Sequence, residues 1–237
     1  MNTVNIKLIG EKDYYVQEAY KVLRTNVRFC GNDIRVISIT SCDENEGKTT
    51  VSLELAKSLA DLGKPVLVID ADMRKSVMVG RNSTAKKVVG LSELLTGMAQ
   101  AEEAVYKTQY PNLYIMFAGK YPPNPVELLS SNVFSLLLDA SRKVYSYIII
   151  DTPPLGRVID AAVIAPKTDG CILLIGKENI RYRQAQEVID QLHKSGSKIL
   201  GVVKNNMKKH SGSYGRAYNK YKYRRYDYHG ANQDVTK

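Results

Sequence analysis

Cysteine and histidine are both scarce in this chain of 237 residues, three of each. Cys30, Cys42 and Cys171 are odd in number, scattered and without metal-ligand spacing, which suits a reducing cytosol rather than a disulfide framework. His193, His210 and His229 are equally scattered and suggest nothing catalytic. Long hydrophobic runs are missing too. The longest apolar stretches are strand-length, far short of the roughly 20 residues a membrane span needs, and nothing resembles a signal peptide. Any membrane contact is therefore expected to come through a partner or a charged surface. Aliphatic side chains all but vanish between Lys208 and Tyr228, where Ala217 stands alone. A segment without Val, Ile, Leu or Met cannot bury enough apolar surface to fold by itself.

What that segment has instead is Tyr214, Tyr218, Tyr221, Tyr223, Tyr226 and Tyr228 among basic residues, at spacings that match neither a helical nor a strand repeat. No amphipathic face explains them, so they are read as kept for their hydroxyls or their rings. The same window carries seven Lys and Arg against Asp227, and so accounts for +6 of the +10 net charge. The remaining chain is mildly basic and unlike a dedicated nucleic-acid domain. Its length suits one α/β domain at 1–207, followed by a flexible basic tyrosine-rich tail at 208–237.

The pattern ahead of the tail is regular. A leading amphipathic helix is expected over about 14–30, with Ala19, Val22, Leu23, Asn26 and Val27 at helical spacing. Strand-like runs follow at Arg35–Thr40, Pro65–Ile69, Leu113–Phe117, Tyr147–Ile150, Cys171–Ile175 and Ile199–Val203. Helical patterns lie between them at Val51–Leu62, Val126–Val144 and Arg183–His193. Alternation of this kind implies a mostly parallel sheet with helices on both faces, and ligands in such sheets bind just beyond the strand ends.

Three strand ends carry chemistry. After Val36–Thr40 comes Cys42-Asp43-Glu44-Asn45-Glu46-Gly47-Lys48-Thr49 and then a helical segment, the context of a phosphate-binding loop. Gly47 lets backbone amides approach phosphate oxygens, Lys48 reaches the β and γ phosphates, and Thr49 ligates Mg²⁺. The first glycine of the pattern is replaced by Cys42. That residue lies near a helix start, where a thiol can acquire a lowered pKa, or it is a small packed side chain. A second strand ends in Asp70-Ala71-Asp72-Met73-Arg74, two carboxylates on alternate residues that can face one centre. A third ends in Asp151-Thr152-Pro153-Pro154. Hard Mg²⁺ takes carboxylate oxygens, which gives Asp72 and Asp151 a task.

These motifs, with Glu46 to Thr50, Gly90 to Gly97, the Pro122-Pro123-Asn124-Pro125 segment running to Glu127-Leu128-Leu129, and the tyrosine tail, resemble the bacterial tyrosine kinases of capsular and exopolysaccharide synthesis over almost the whole chain. The resemblance implies a P-loop fold of the MinD/ParA-like type, an Mg-ATP-dependent autokinase, and phosphorylation of the six tail tyrosines. It implies that Gly47, Lys48, Thr49 and Thr50 bind nucleotide, that Thr49, Asp72 and Asp151 hold Mg²⁺, and that Asp70 sits nearest the incoming hydroxyl. Arg74 either stabilises transferring charge or makes an ion pair at the strand end, and Asn205 either contacts adenine or occupies a turn. Glu18, Lys21 and Arg24 resemble the family's subunit-contact motif, with lysine in place of the first arginine. The implied partners are other copies in a ring, a membrane activator of the chain-length-determinant type and a tyrosine phosphatase. The implied location is the cytoplasm, at the inner face of the membrane through that activator.

Two other functions fit parts of the pattern. A partitioning or positioning ATPase shares the fold, but such ATPases usually carry an upstream lysine in the phosphate loop, and Cys42 to Glu46 contains none. A nucleic-acid binder could use the basic aromatic tail, against which the near-neutral remainder of the chain speaks.

Overall fold

Strand runs apolar at every position must be covered on both faces, and the computed structural model shows how this is done. It describes residues 2–8, 13–81, 88–176 and 180–205. The six tail tyrosines and the proposed tail segment lie outside the described residues. The elements in chain order are β1 (Asn2–Val4), α1 (Tyr14–Phe29), β2 (Val36–Ser41), α2 (Lys48–Ala60), β3 (Val66–Asp70), α3 (Leu91–Leu95), α4 (Ala101–Ala104), β4 (Val105–Thr108), β5 (Leu113–Met116), α5 (Pro125–Ser130), α6 (Asn132–Val144), β6 (Tyr147–Asp151), α7 (Asp160–Ile164), β7 (Gly170–Ile175), α8 (Tyr182–Lys194) and β8 (Ile199–Lys204).

The strands form one sheet in the order β1-β4-β5-β3-β6-β2-β7-β8. All pairings are parallel except β4 with β5, so β1 and β4 run against the other six strands. Side chains alternate across the sheet. Ile37, Ile39, Val66 and Val68 enter one core with Val51, Leu55 and Leu59 of α2 and Val27 of α1. Val36, Leu67, Ile69, Ile148 and Ile150 face the opposite core with Phe134 and Leu138 of α6. Leu173 of β7 packs with Val188 and Leu192 of α8 in a third cluster. The strands that carry the three motifs, β2, β6 and β3, are parallel neighbours in the middle of the sheet, so their C-terminal ends lie side by side.

Several elements differ from the sequence pattern. The expected helix over Val126–Val144 is two helices, because Ser131 is extended (φ −62°, ψ 157°) and its hydroxyl accepts from the Phe134 amide as the N-cap of α6. In α1 only Val27 is fully buried, with Tyr20 and Leu23 packed against the core. Val22 is 51 % and Phe29 82 % exposed, so the apolar stripe expected at Ala19, Val22 and Asn26 turns outward. The short strands β1 and β4 lack the long apolar runs of the others.

At the end of β2 far from the motifs, Asp169 ties the sheet to α6. Its Oδ2 accepts from the Arg35 and Val36 amides at 2.8 and 2.7 Å, and Arg142 donates to both carboxylate oxygens at 2.8 Å. The Arg35 guanidinium returns to the Arg142 and Tyr145 carbonyls at 2.6 Å. Burial works to raise the Asp169 carboxyl, but the Arg142 and amide hydrogen bonds outweigh it and hold it below its ordinary value. Asp169→Ala, which strands two amides and a guanidinium, is expected to cost about 2–3 kcal/mol in urea unfolding. A lowered carboxyl stabilises the fold above the unfolded-state pKa of about 3.9 and loses that contribution as pH falls through the folded value. The difference between wild type and variant should therefore shrink below about pH 4.

Candidate active site

The phosphate loop is shaped by one buried carboxylate. Glu46 is fully buried, and its Oε2 accepts from the Asp43 amide at 3.0 Å while its Oε1 accepts from the Gly176 amide at 3.1 Å. The Glu46 carbonyl accepts from Asn205 Nδ2 at 2.9 Å. Gly47 follows at φ +96°, where an L side chain is strained, and a Cβ there would lie 2.2 Å from Asn205 Nδ2. Helix α2 then starts at Lys48 with its amides open toward the loop.

Lys48 is buried, and its Nζ donates to Ser41 Oγ at 3.0 Å. Burial lowers its pKa, while Asp151, Asp72, Glu46 and Glu44 pull it back up. Thr49 Oγ1 donates to Asp151 Oδ2 at 2.5 Å, and Ser52 Oγ, one turn on, donates to Asp151 Oδ1 at 3.2 Å. Asp151 stands in register with Asp70 on the neighbouring strand. Asp70 accepts from Ser76 Oγ at 2.5 Å and from the Asp72 amide at 3.1 Å. Burial, with the Asp151 charge next, pushes the Asp70 carboxyl up from its ordinary value. Asp151 is pushed up to about 6, chiefly by burial, against the Thr49 hydrogen bond and the Lys48 charge. Asp72 is raised by burial and accepts from the Lys75 amide at 2.9 Å.

Gly47, Lys48, Thr49, Thr50 and Asp72 line a cleft of about 270 Å³ together with Glu44 and Lys75. Among the described residues no three Asp, Glu, His or Cys converge as a ready-made metal cage. The hydroxyl of Thr49 and the carboxylates of Asp72 and Asp151 are hard oxygen donors, and they fit Mg²⁺ held largely by water and by the phosphates it accompanies.

Two residues carry other bonds. Arg74 Nε donates to both oxygens of the buried Asp160 at 3.0 and 3.2 Å, the ion pair that was one of its two readings. Asn205 is bonded to the phosphate loop, and its own amide donates to the Ile175 carbonyl at 2.8 Å. Cys42 is fully buried and its thiol is raised to about 11 by burial, with Glu46 and Asp43 adding to it. It is a packed side chain, not an activated thiol. On α1, Lys21 pairs with Glu18 at 2.7 Å, while Arg24 Nη1 donates to the Ser58 carbonyl of α2 at 2.6 Å. Sequence reasoning missed Ser41, Ser52, Ser76, Asp160 and the role of Glu46. Ser52, three residues after Thr49 on one helical face, was the one with a readable signal.

A family model described as an AAA domain matches residues 34–208. The tyrosine-protein kinase CpsD of Streptococcus agalactiae is 39 % identical over 199 residues, covering 84 % of this chain and 87 % of its own. The chain belongs to the bacterial tyrosine-protein kinases. Among solved structures, the chimeric protein CapA2B2 superposes with a TM-score of 0.80 at 30 % identity, over 88 % of this chain and 94 % of its own. The septum site-determining protein MinD of Pyrococcus horikoshii, complexed with Mg-ADP, is more distant: TM-score 0.61 at 27 % identity, over 75 % of this chain and 72 % of its own. The kinase thus shares the MinD fold and is nearer in structure to CapA2B2.

Gly47→Ala forces either a strained backbone or displacement of Asn205. It is expected to weaken nucleotide binding by more than about tenfold while costing the fold only about 1–3 kcal/mol, as measured by calorimetry and urea unfolding. The raised Asp151 carboxyl gives a second expectation. Protonation removes the charge that faces a cation, so affinity for Mg-nucleotide should fall as pH drops below about 6. Asp151→Asn should flatten that dependence.

Proposed function

We propose that the cleft transfers the ATP γ-phosphate to the tyrosines of the chain's own tail, Tyr214, Tyr218, Tyr221, Tyr223, Tyr226 and Tyr228, in control of capsular or exopolysaccharide synthesis. ATP- and Mg²⁺-dependent protein-tyrosine kinase activity follows from the family. The acceptor positions, the subunit route and the particular partners are inferred.

The observation that carries the reading is the convergence of Lys48, Thr49, Asp70, Asp72 and Asp151 at the ends of three adjacent strands. Lys48 and the α2 amides would hold the phosphates, and Thr49 with Asp72 and Asp151 would hold Mg²⁺. Bound there, the ion would neutralise phosphate charge. A tyrosine hydroxyl has an ordinary pKa near 10, so a carboxylate beside it helps take the proton during attack. Asp70, raised by its surroundings, is suited to accept that proton. The ATPase reading loses ground because the loop from Cys42 to Glu46 has no lysine and the MinD likeness is weaker.

Residues 1–207 would act as the kinase domain and 208–237 as its substrate tail. Likeness to the chimerical protein CapA2B2 and to other kinase domains is consistent with work alongside a partner. The specific partners we infer are a membrane activator of the chain-length-determinant type, other subunits in a ring through Glu18, Lys21 and Arg24, and a tyrosine phosphatase that resets the tail. Among the described residues no helix is long and apolar enough to cross a membrane. The inner face of the membrane would then be reached from the cytoplasm through the activator.

Lys48→Met is expected to lower tail phosphotyrosine by at least about a hundredfold with the fold intact, read by mass spectrometry after incubation with Mg-ATP. Mixed with chains lacking the six tail tyrosines, the Lys48→Met chains should become phosphorylated by their neighbours. Unchanged phosphotyrosine in folded Lys48→Met protein would reject the assignment, and an unlabelled tail in a demonstrated co-assembly would reject the between-subunit route.

A further inference from the structure

The cleft is lined by two ammonium groups among the described residues, Lys48 and Lys75, and only the first has a place in the reaction above. We propose that Lys75 is a second phosphate-binding cation, held on Glu44 until nucleotide arrives and then exchanged onto its terminal phosphate oxygens. This rests on the reading of the cleft as an ATP site.

Position comes first. The Lys75 backbone is fixed beside the metal-site carboxylate, because its amide donates to Asp72 Oδ1 at 2.9 Å. The side chain is free to swing from that anchor. Its Nζ donates to Glu44 Oε2 at 2.8 Å, and Glu44 belongs to the loop that would surround the phosphates.

The strength of that pair comes second. The two side chains are 68 % and 46 % exposed, so water screens the attraction and a more highly charged acceptor can replace Glu44. A triphosphate is such an acceptor, and a lysine ammonium is a compact charge with three donors suited to it.

Third, the loop does not depend on Lys75 for its shape. Asp43 is held by Arg157 at 2.7 Å, its Oδ1 also accepts from the Glu44 amide at 2.8 Å, and Glu46 is held by the Gly176 amide. Lys75 can leave Glu44 with those bonds intact. Charge gives the final reason. The loop from Cys42 to Glu46 supplies no lysine of its own, Glu44 and Asp72 line the cleft, and Asp70 and Asp151 end the neighbouring strands β3 and β6. A polyphosphate entering there gains from a second cation, and Lys75, which lines the same cleft, is placed to provide it.

The competing explanation is a plain clamp between two loops, and the two differ in sign. Affinities for Mg-ADP and for a non-hydrolysable Mg-ATP analogue can be measured calorimetrically on wild type, Lys75→Gln, Glu44→Gln and the double variant, with Lys48→Met as reference. The expected result is that Lys75→Gln weakens the ATP analogue by about tenfold and ADP by clearly less. Glu44→Gln should tighten the analogue, and most of that gain should vanish when Lys75 is also replaced. Weakening by both single variants would show a clamp and overturn the proposal. So would equal effects on ADP and the analogue, or a Glu44→Gln gain that is the same with and without Lys75. If Lys48→Met loses nucleotide while every Lys75 variant binds as wild type does, the ATP site stands and this inference falls. If wild type binds neither nucleotide, both fall together.

Discussion

Two carboxylates held side by side in the interior, Asp70 and Asp151, set the terms for everything around them. They are register partners on adjacent parallel strands, so the backbone ladder fixes their proximity and neither can retreat to solvent. Both carboxyls are raised, chiefly by burial, with the Asp151 charge adding to it at Asp70 and the Asp72 charge at Asp151. The surroundings answer with donors: the hydroxyls of Thr49 and Ser52 on one carboxylate, and of Ser76 with the Asp72 amide on the other. Lys48 supplies a positive charge from the start of α2. A divalent cation would supply the counter-charge that these acids call for, and a polyphosphate would enter with it. Placing β3 beside β6 is what brings the two acids together at the start of α2.

Glu46 shows how the loop manages without its first glycine. With Cys42 in that position the chain turns through Asn45 and Gly47, both at positive φ, and the Glu46 carboxylate bridges the amides on either side of the site. The loop is therefore shaped by a side chain as well as by backbone freedom. Gly176 matters for the same reason: a Cβ there would lie 2.1 Å from the Glu46 carbonyl, so the end of β7 and the loop pack backbone to backbone.

The parts legible in the sequence were those that local chemistry determines. Val36–Ser41, Val66–Asp70 and Tyr147–Asp151 read as strands because their runs are almost wholly apolar or small, the last two up to the acid that ends them. The motifs then fell at strand ends, and the order β3-β6-β2 that makes those ends neighbours came from the structure. Non-local choices were not legible. The direction α1 faces depends on what α2 and β1 offer it, so Val27 and Tyr20 were turned inward while Val22 was left out. The break at Ser131 hinges on one hydroxyl choosing the Phe134 amide over continuing a helix. Asp160 was invisible as the partner of Arg74, since 86 residues separate them and only the fold brings them together.

The buried thiols bear on how such an enzyme withstands stress. A cysteine at the base of a phosphate loop would ordinarily expose the reaction to peroxide or electrophiles, because the thiolate is the reactive form and needs access. Cys42 offers neither access nor ionisation, lying fully buried with its thiol raised to about 11, and Cys171 beneath it on β7 is in the same state. The backbone packs closely there too, since a Cβ at Gly156 would lie 2.1 Å from the Cys42 carbonyl. Neither cysteine beside the cleft therefore offers a thiolate to an oxidant, and the third, the partly exposed Cys30, lies at the far end of α1, outside the residues that line it.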